Sequence, residues 1–343
     1  MDLPDIITSE HVLDDVMTRP SPELVAFART LAGPLLVLGA GGKMGPSLAA
    51  RAKRAATEAG VELEVVAVSR FGDDAARAWL EARGVRTVAR NLLTDGLDDL
   101  PDASRIVYLV GQKFGTTSAP ARTWALNALV PERVCARWPA ARFAALSTGN
   151  VYPLMPVARG GSVEDDPLTP LGEYANACVA RERIFEDASA RRGTRVVLLR
   201  LNYALDLRYG VLVDLARRIL AGEPIDLTTG HVNLIWQGDA NDAAIRALDL
   251  ATAPPRALNL TGREVLSVRE LAQRLGSWLE EEPRFTGAEA DSALLSDPAR
   301  AYALLGAPPT PLEAVLRWTA AWVRAGGRTL GKPTRFEVRD GRF

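Results

Sequence analysis

The sequence predicts an α/β fold: a doubly wound parallel sheet with a smaller mixed α/β region toward its C-terminal end. Short apolar, β-branched runs alternate with helical stretches through the first 200 residues, a rhythm that needs a parallel sheet with helices on both faces. A glycine cluster sits where the first of these runs meets a helix. Before it, residues 1–33 read as a helical extension. Ser21-Pro22-Glu23 starts a helix there, and Gly33-Pro34 ends it. Leu35–Leu38 is the first strand, followed by a helix to about Gly60 and a second strand over Leu63–Val68. Val85–Ala89, Arg105–Val110, Phe143–Leu146 and Val196–Leu199 read as further strands, with helices near 73–83, 119–138 and 174–192. After Tyr203 the rhythm loosens. Helical stretches at 210–221, 239–250 and 267–281, split by Gly/Pro loops, suggest a cap over the sheet's C-terminal edge. The expected division is a sheet domain of residues 34–206 and 232–262. Residues 207–231 and 263–343 then form the cap, which would bind substrate, and a C-terminal arm. The tail after Gly326 reads as an extended arm or a mobile end.

Composition excludes several function classes. With 41 basic and 42 acidic residues, the net charge of −1 points to neither nucleic acid nor an anionic membrane. Cys135 and Cys178 cannot build a disulfide framework, and two histidines supply no metal cluster. The start Met-Asp-Leu-Pro-Asp has no basic, apolar leader, and no run of 18 apolar residues lacks charge, so a cytoplasmic location is expected. Lysine is scarce: Lys43, Lys53, Lys113 and Lys332 are the only four.

Gly39-Ala40-Gly41-Gly42-Lys43-Met44-Gly45 follows the first strand and opens a helix. A phosphate-binding turn needs this composition. One glycine permits the tight turn, a second admits a pyrophosphate to the backbone, and a third lets helix and strand pack closely. A Rossmann-type site for a nicotinamide dinucleotide is the expectation. The second strand ends Val68-Ser69-Arg70. An arginine there suits the 2′-phosphate of NADP, where an acidic residue would select NAD. NADP is therefore expected, with NAD possible, because Asp73 and Asp74 could instead pair with Arg70.

Further along, the chain carries Asn91-Leu92, Asn127, Ser147-Thr148-Gly149-Asn150-Val151-Tyr152, Glu164-Asp165-Asp166-Pro167, Glu173-Tyr174-Ala175-Asn176, Arg200-Leu201-Asn202 and Trp236-Gln237-Gly238-Asp239. In this order and spacing, from about Pro34 to Val323, the chain resembles the extended short-chain dehydrogenase/reductases, the epimerase/dehydratase branch. The resemblance implies that Thr148 is a hydrogen-bonding hydroxyl and Tyr174 the general acid/base. It also implies cofactor contacts from Ser69, Arg70, Asn91, Leu92, Val110, Gly111 and Asn127 besides the glycine loop. A homodimer is implied too, with helices near 119–138 and 174–192 pairing through residues such as Trp124, Leu129, Val134, Val179 and Phe185.

One position departs from the family. A lysine one turn after the tyrosine normally lowers its pKa, and here that position is Cys178. Three readings follow. Another cation can replace the lysine: Lys113, in Gly111-Gln112-Lys113-Phe114-Gly115, is the first choice, and Arg181 is second because its guanidinium is bulkier and can point to solvent. Alternatively, Tyr174 acts only as a hydrogen-bond donor. The third reading is a catalytically impaired protein that binds nucleotide as a sensor or scaffold.

The substrate is expected to be a small hydroxylated compound such as a sugar or sugar acid. Nucleotide-sugar members of the family hold the diphosphate with an arginine at the position of Val232 and another near Gly287-Ala288-Glu289-Ala290-Asp291. Neither arginine is present, which argues against a nucleotide sugar. Asn150, Asn202, Tyr203, Arg208, His231 and Asn233 are the polar candidates for the substrate pocket.

Overall fold

The computed structural model describes residues 3–72, 74–113, 115, 118–332 and 334–342. Seven strands form one sheet: β1 (Leu35–Leu38), β2 (Val65–Ser69), β3 (Arg86–Ala89), β4 (Arg105–Tyr108), β5 (Arg142–Thr148), β6 (Arg195–Leu201) and β7 (Arg256–Leu260). Their order is β7-β6-β5-β4-β1-β2-β3, and every pairing is parallel. All four side chains of β1 are buried, as expected of a central strand covered on both faces. The order reverses between β1 and β4, where Leu38 pairs with both Val68 and Tyr108. A crevice at the carboxyl ends of these two strands is where such sheets take ligands.

The helices are α1 (Glu10–Thr18), α2 (Pro22–Ala28), α3 (Gly45–Ala59), α4 (Asp74–Glu81), α5 (Pro120–Trp124), α6 (Val130–Arg137), α7 (Gly172–Arg192), α8 (Val211–Leu220), α9 (Gln237–Arg246), α10 (Val268–Leu279), α11 (Ala299–Leu305) and α12 (Leu312–Arg324). One face of the sheet packs on α2, α3 and α9, the other on α6 and α7. A separate core joins α8, α10 and α12 with Leu13, Val16 and Met17 of α1. The N-terminal segment is thus not a loose appendage. Its first helix completes the cap, and Ser21 ties its second to α9 by two bonds to Asp242, at 3.0 and 2.9 Å.

Strand β7 and helices α1, α11 and α12 do not stand out in the sequence. In β7, Arg256 and Asn259 interrupt the apolar run; Asn259 is fully buried and donates to the Ser162 and Asp297 carbonyls at 2.8 and 3.0 Å. The tail is an extended arm. Thr334 donates to Asp214, Phe336 is buried, and Arg339 donates to Ser292. At its end, Gly341 packs on Leu171 and Gly172, where α7 begins. Among the described residues, no helix is long and apolar enough to cross a membrane.

Candidate active site

The glycine loop leaves β1 at the switch point, and its glycines have distinct physical reasons. Gly39 has φ +85°, and a Cβ there would lie 2.8 Å from Val110 N. A Cβ on Gly45 would meet the Ala40 backbone at 2.4 Å, so this glycine seats α3 on the turn. A Cβ on Gly41 would crowd the Ser69 side chain, 2.6 Å from its hydroxyl. Gly42 differs: its only neighbour would be Gly39 O at 3.4 Å. Among the described residues, nothing else comes within 4 Å of that position, and no side chain caps the first turn of α3. An open approach and a helix N-terminus fit a pyrophosphate.

Other expected cofactor positions border the same crevice. Ser69 ends β2, and the following Arg70 is exposed and forms no ion pair among the described residues. Asp73, its possible partner, lies outside them. Val110 and Gly111 follow β4 and line the edge beside Gly39. Asn91 is partly spent locally, since its side chain accepts from Leu93 N at 3.2 Å and stabilises the turn after β3. Leu92 is buried in the core beside β2.

Thr148 is the last residue of β5 and Tyr174 lies in the first turn of α7. Their side chains hydrogen-bond each other, so the two elements bring the expected pair together. Thr148 Oγ1 also donates to Asn150 Oδ1 at 3.1 Å. On its other side Tyr174 hydrogen-bonds Cys178.

Arg181 stands beside residue 178 from within α7, and Lys113 also acts on Cys178 from the end of β4. Arg181 does not point to solvent; it is 4% exposed. Its Nη2 donates to Cys178 Sγ at 3.1 Å and to Asn127 Oδ1, and Nη1 donates to Leu146 O at 2.5 Å. The guanidinium occupies the space under Gly111, where a Cβ would lie 3.0 Å from Nη2. Asn127 sits in a π-helical turn, Ala125–Leu129, between α5 and α6. It is fully buried, donates to the Thr123 carbonyl and accepts from Arg181. A line therefore runs Thr148–Tyr174–Cys178–Arg181–Asn127.

Burial pushes the Tyr174 phenol and the Cys178 thiol up, and the Arg181 charge opposes both shifts. The phenol stays protonated at neutral pH, which makes it a proton donor at rest. Lys113 stands after β4, near enough for its charge to act on Cys178; burial lowers its ammonium to about 8.

Several substrate candidates are committed elsewhere. Arg208 bonds Asp206, Glu10 and Asp14 and so anchors α1 to the cap. Asn202 and Asn233 are buried and bonded to each other at 3.0 Å. Asn233 also binds Ser296, closing the cap onto β6. His231 pairs with Ser267 in a two-stranded ribbon. Tyr203, at φ +39°, packs against the cap core. Asn150 remains at the site through its bond with Thr148.

Some family marks prove to be scaffold. Arg200 grips Glu182 with its closest contact at 2.7 Å, and also donates to Tyr152 Oη at 2.7 Å and Glu164 O at 2.9 Å. This buried network locks α7, and so Tyr174, against β6 and the 152–164 segment.

The fold and crevice define a Rossmann-type dinucleotide-binding protein with a Ser/Thr–Tyr site at the ends of its strands. The sequence model of the NAD dependent epimerase/dehydratase family matches residues 35–261, and the chain belongs to that family. Among solved structures, UDP-glucuronic acid 4-epimerase from Bacillus cereus, in complex with UDP-glucuronic acid and NAD, is similar at 16% identity. Its TM-score is 0.70, over 85% of this chain and 99% of that one. MoeE5 in complex with UDP-glucuronic acid and NAD shares 22% identity, with TM-score 0.69 over 86% and 100%. UDP-glucose 4-epimerase from Thermotoga maritima, with UDP-glucose, shares 18%, with TM-score 0.68 over 85% and 99%. A comparison with curated protein sequences finds no match.

The ligands of these neighbours are nucleotide sugars, which conflicts with the expectation against that class. The expectation rested on local sequence alone. Val232 is indeed buried, but the arm brings Arg339 against Thr228 and Ser292, beside both stretches that lack an arginine.

Proposed function

We propose that this chain is an NAD(P)-dependent oxidoreductase or epimerase of the extended short-chain type, acting on a hydroxylated substrate through Tyr174 and Thr148. The observation that carries the reading is the hydrogen-bonded line from Thr148 through Tyr174 and Cys178 to Arg181, set beside an open phosphate-binding turn. The glycine loop and the first turn of α3 would hold the pyrophosphate, with Ser69 and Arg70 at the ribose. When bound, the dinucleotide supplies or accepts the hydride. Thr148 and Tyr174 orient the reacting oxygen. In the reductive direction Tyr174 gives its proton to that oxygen as a carbonyl becomes an alcohol. The phenolate left behind is stabilised by the Thr148 hydroxyl and the Arg181 charge, and water returns the proton. Arg181 reaches Tyr174 through Cys178, so it is a positioning residue.

Kinetics of Arg181 variants test this. Arg181→Lys keeps the charge and is expected to retain most of the turnover. Arg181→Gln should lower kcat about ten- to a hundredfold with KM little changed, and should move the alkaline limb of the oxidative pH profile upward. Cys178→Ser should be nearly silent. An unmoved profile in Arg181→Gln would reduce that residue to scaffold.

A second reading, a nucleotide-binding protein without chemistry, is favoured by the raised Tyr174 phenol, since the free protein offers no phenolate base. Tight cofactor binding with no turnover across sugars, sugar acids, polyols and UDP-sugars is its signature.

Arg70 supports NADP over NAD. Losing a charge-assisted contact to a phosphate weakens binding roughly ten- to a hundredfold. Arg70→Ala should weaken NADP by that factor and spare NAD in a fluorescence titration. Equal weakening of both, or a preference for NAD in the unmodified protein, contradicts the assignment.

The homodimer reading rests on exposed apolar side chains of the α5–α6 stretch. Trp124 is 40% and Leu129 57% exposed, whereas Val134 and Phe185 are fully buried against the sheet. Leu129→Asp should convert a dimer to a monomer in light scattering. A monomeric parent protein at micromolar concentration would end this reading.

A further inference from the structure

A second cavity lies between the start of α2, helices α9 and α11, and the 306–309 turn that follows α11. Its volume is about 240 Å³. The glycine loop, β4 and the Thr148–Tyr174 line contribute nothing to its lining, so it is separate from the dinucleotide crevice. Ile235, Ala243, Leu260, Leu305 and Pro308 give it apolar walls. Arg51 of α3 and Asp239 of α9, the last residue of the Trp236-Gln237-Gly238-Asp239 motif, add polar ones.

The charged residues around this cavity are unequally engaged. A carboxylate offers about four lone-pair sites. Asp242 fills all of them, accepting from Ser21 N and Oγ at 3.0 and 2.9 Å, Arg51 Nη1 at 3.2 Å and Arg246 Nε at 2.8 Å. Asp239 is 7% exposed and accepts, among the described residues, only from Thr310 N and Oγ1 at 3.1 and 3.0 Å. About half of its capacity is left over. Arg51 is equally buried. Its Nε donates to Met17 O and its Nη1 to Asp242, while Nη2 has no partner among the described residues. That Nη2 lies against Gly238, where a Cβ would sit 2.9 Å from it, one residue before Asp239. Among the described residues, no ion pair joins Arg51 to Asp239. An acceptor short of donors and a donor short of acceptors thus line one cavity without meeting, and buried polar groups left in that state are costly.

We propose that this cavity is a second ligand site, which takes a small uncharged ring compound with a hydroxyl or amide head. The head donates to Asp239 and accepts from Arg51 Nη2, and the ring packs on Ile235, Ala243 and Leu260. Size and charge both lead to this class. An apolar cavity of about 150 Å³ holds benzene, and drug-sized pockets begin near about 300 Å³, so this one suits a single ring with a short substituent. An ammonium head would face Arg51 and Arg246, and a carboxylate head would face Asp239 and Asp242. A neutral head that both donates and accepts avoids either repulsion. The site needs nothing from the dinucleotide and stands apart from the function proposed above.

Ligand-observed NMR titrations of the full chain test the assignment with p-cresol, toluene, p-toluate and 4-methylbenzylamine, which share a ring and differ in the head. p-Cresol is expected to bind with a Kd of about 1 mM or below, at least about tenfold more tightly than the other three. Ala307 is exposed on the rim. Ala307→Trp should therefore melt near the parent while its ring blocks the cavity and abolishes p-cresol binding, and Ala307→Ser should keep that binding. Saturating NADP should leave p-cresol affinity within about twofold. No binding of p-cresol, equal binding of the four probes, undiminished binding in Ala307→Trp, or displacement by NADP overturns the assignment.

Discussion

Tyr174→Phe is expected to lower kcat by about two to four orders of magnitude, the usual worth of a placed proton donor, with cofactor affinity unchanged. The side chain is half-buried and hydrogen-bonded to Thr148 and Cys178, and burial raises its phenol, so at neutral pH it carries the proton that a forming alkoxide needs. Phenylalanine keeps the ring and removes only that proton. The sign of the pH dependence follows. A raised phenol stays protonated below its pKa, so reduction gains nothing from Tyr174 as pH falls through neutrality. Oxidation, which needs phenolate, should rise toward alkaline pH. Reduction and oxidation rates measured with purified Tyr174→Phe, alongside a cofactor titration, check both parts. A variant as active as its parent would show that the tyrosine is a bystander.

Gly42→Val is expected to cost at least about a hundredfold in dinucleotide affinity and almost nothing in stability. The contrast with Gly39 makes this sharp. Gly39 sits at φ +85° with Val110 N only 2.8 Å from any added Cβ, so Gly39→Val strains the fold itself. At Gly42 the backbone has no positive φ, and an added Cβ meets only Gly39 O at 3.4 Å. Valine there fits the free protein and fills the space that a pyrophosphate needs. Thermal melts of the two variants should therefore separate, with Gly39→Val lower and Gly42→Val near the parent. Unchanged cofactor affinity in Gly42→Val would remove the phosphate-binding role of the loop.

The parallel sheet was legible because its strands are short apolar runs with nothing polar between Leu35 and Leu38 or between Val65 and Val68. β7 was not, because Asn259 breaks its run while serving as the hydrogen-bonding hub for Ser162, Tyr152 and Asp297. Helix α1 hides for a related reason. Its apolar side is Leu13, Val16 and Met17, set among acidic residues whose partner, Arg208, is nearly 200 positions away. Thr148 and Tyr174 were legible as motifs. The direction of a long side chain was not. Arg181 could have pointed to solvent and Arg208 into the substrate pocket, yet the first is held inward by Cys178 and Asn127 and the second by Asp206. The spacing held one clue to Arg181: it lies seven residues past Tyr174 and three past Cys178, on the same face of α7.

The central claim is that Tyr174 performs proton transfer in a dinucleotide site whose supporting lysine is gone. Single-turnover mixing of NADPH-loaded protein with keto sugars, keto acids and UDP-keto-sugars, followed by nicotinamide absorbance, tests it most directly. At least one class is expected to bleach the absorbance with the parent chain, and Tyr174→Phe, equally loaded, is expected to slow that bleaching at least about a hundredfold. Tight NADPH binding with no bleaching by any class, or bleaching at the same rate in Tyr174→Phe, would contradict the account.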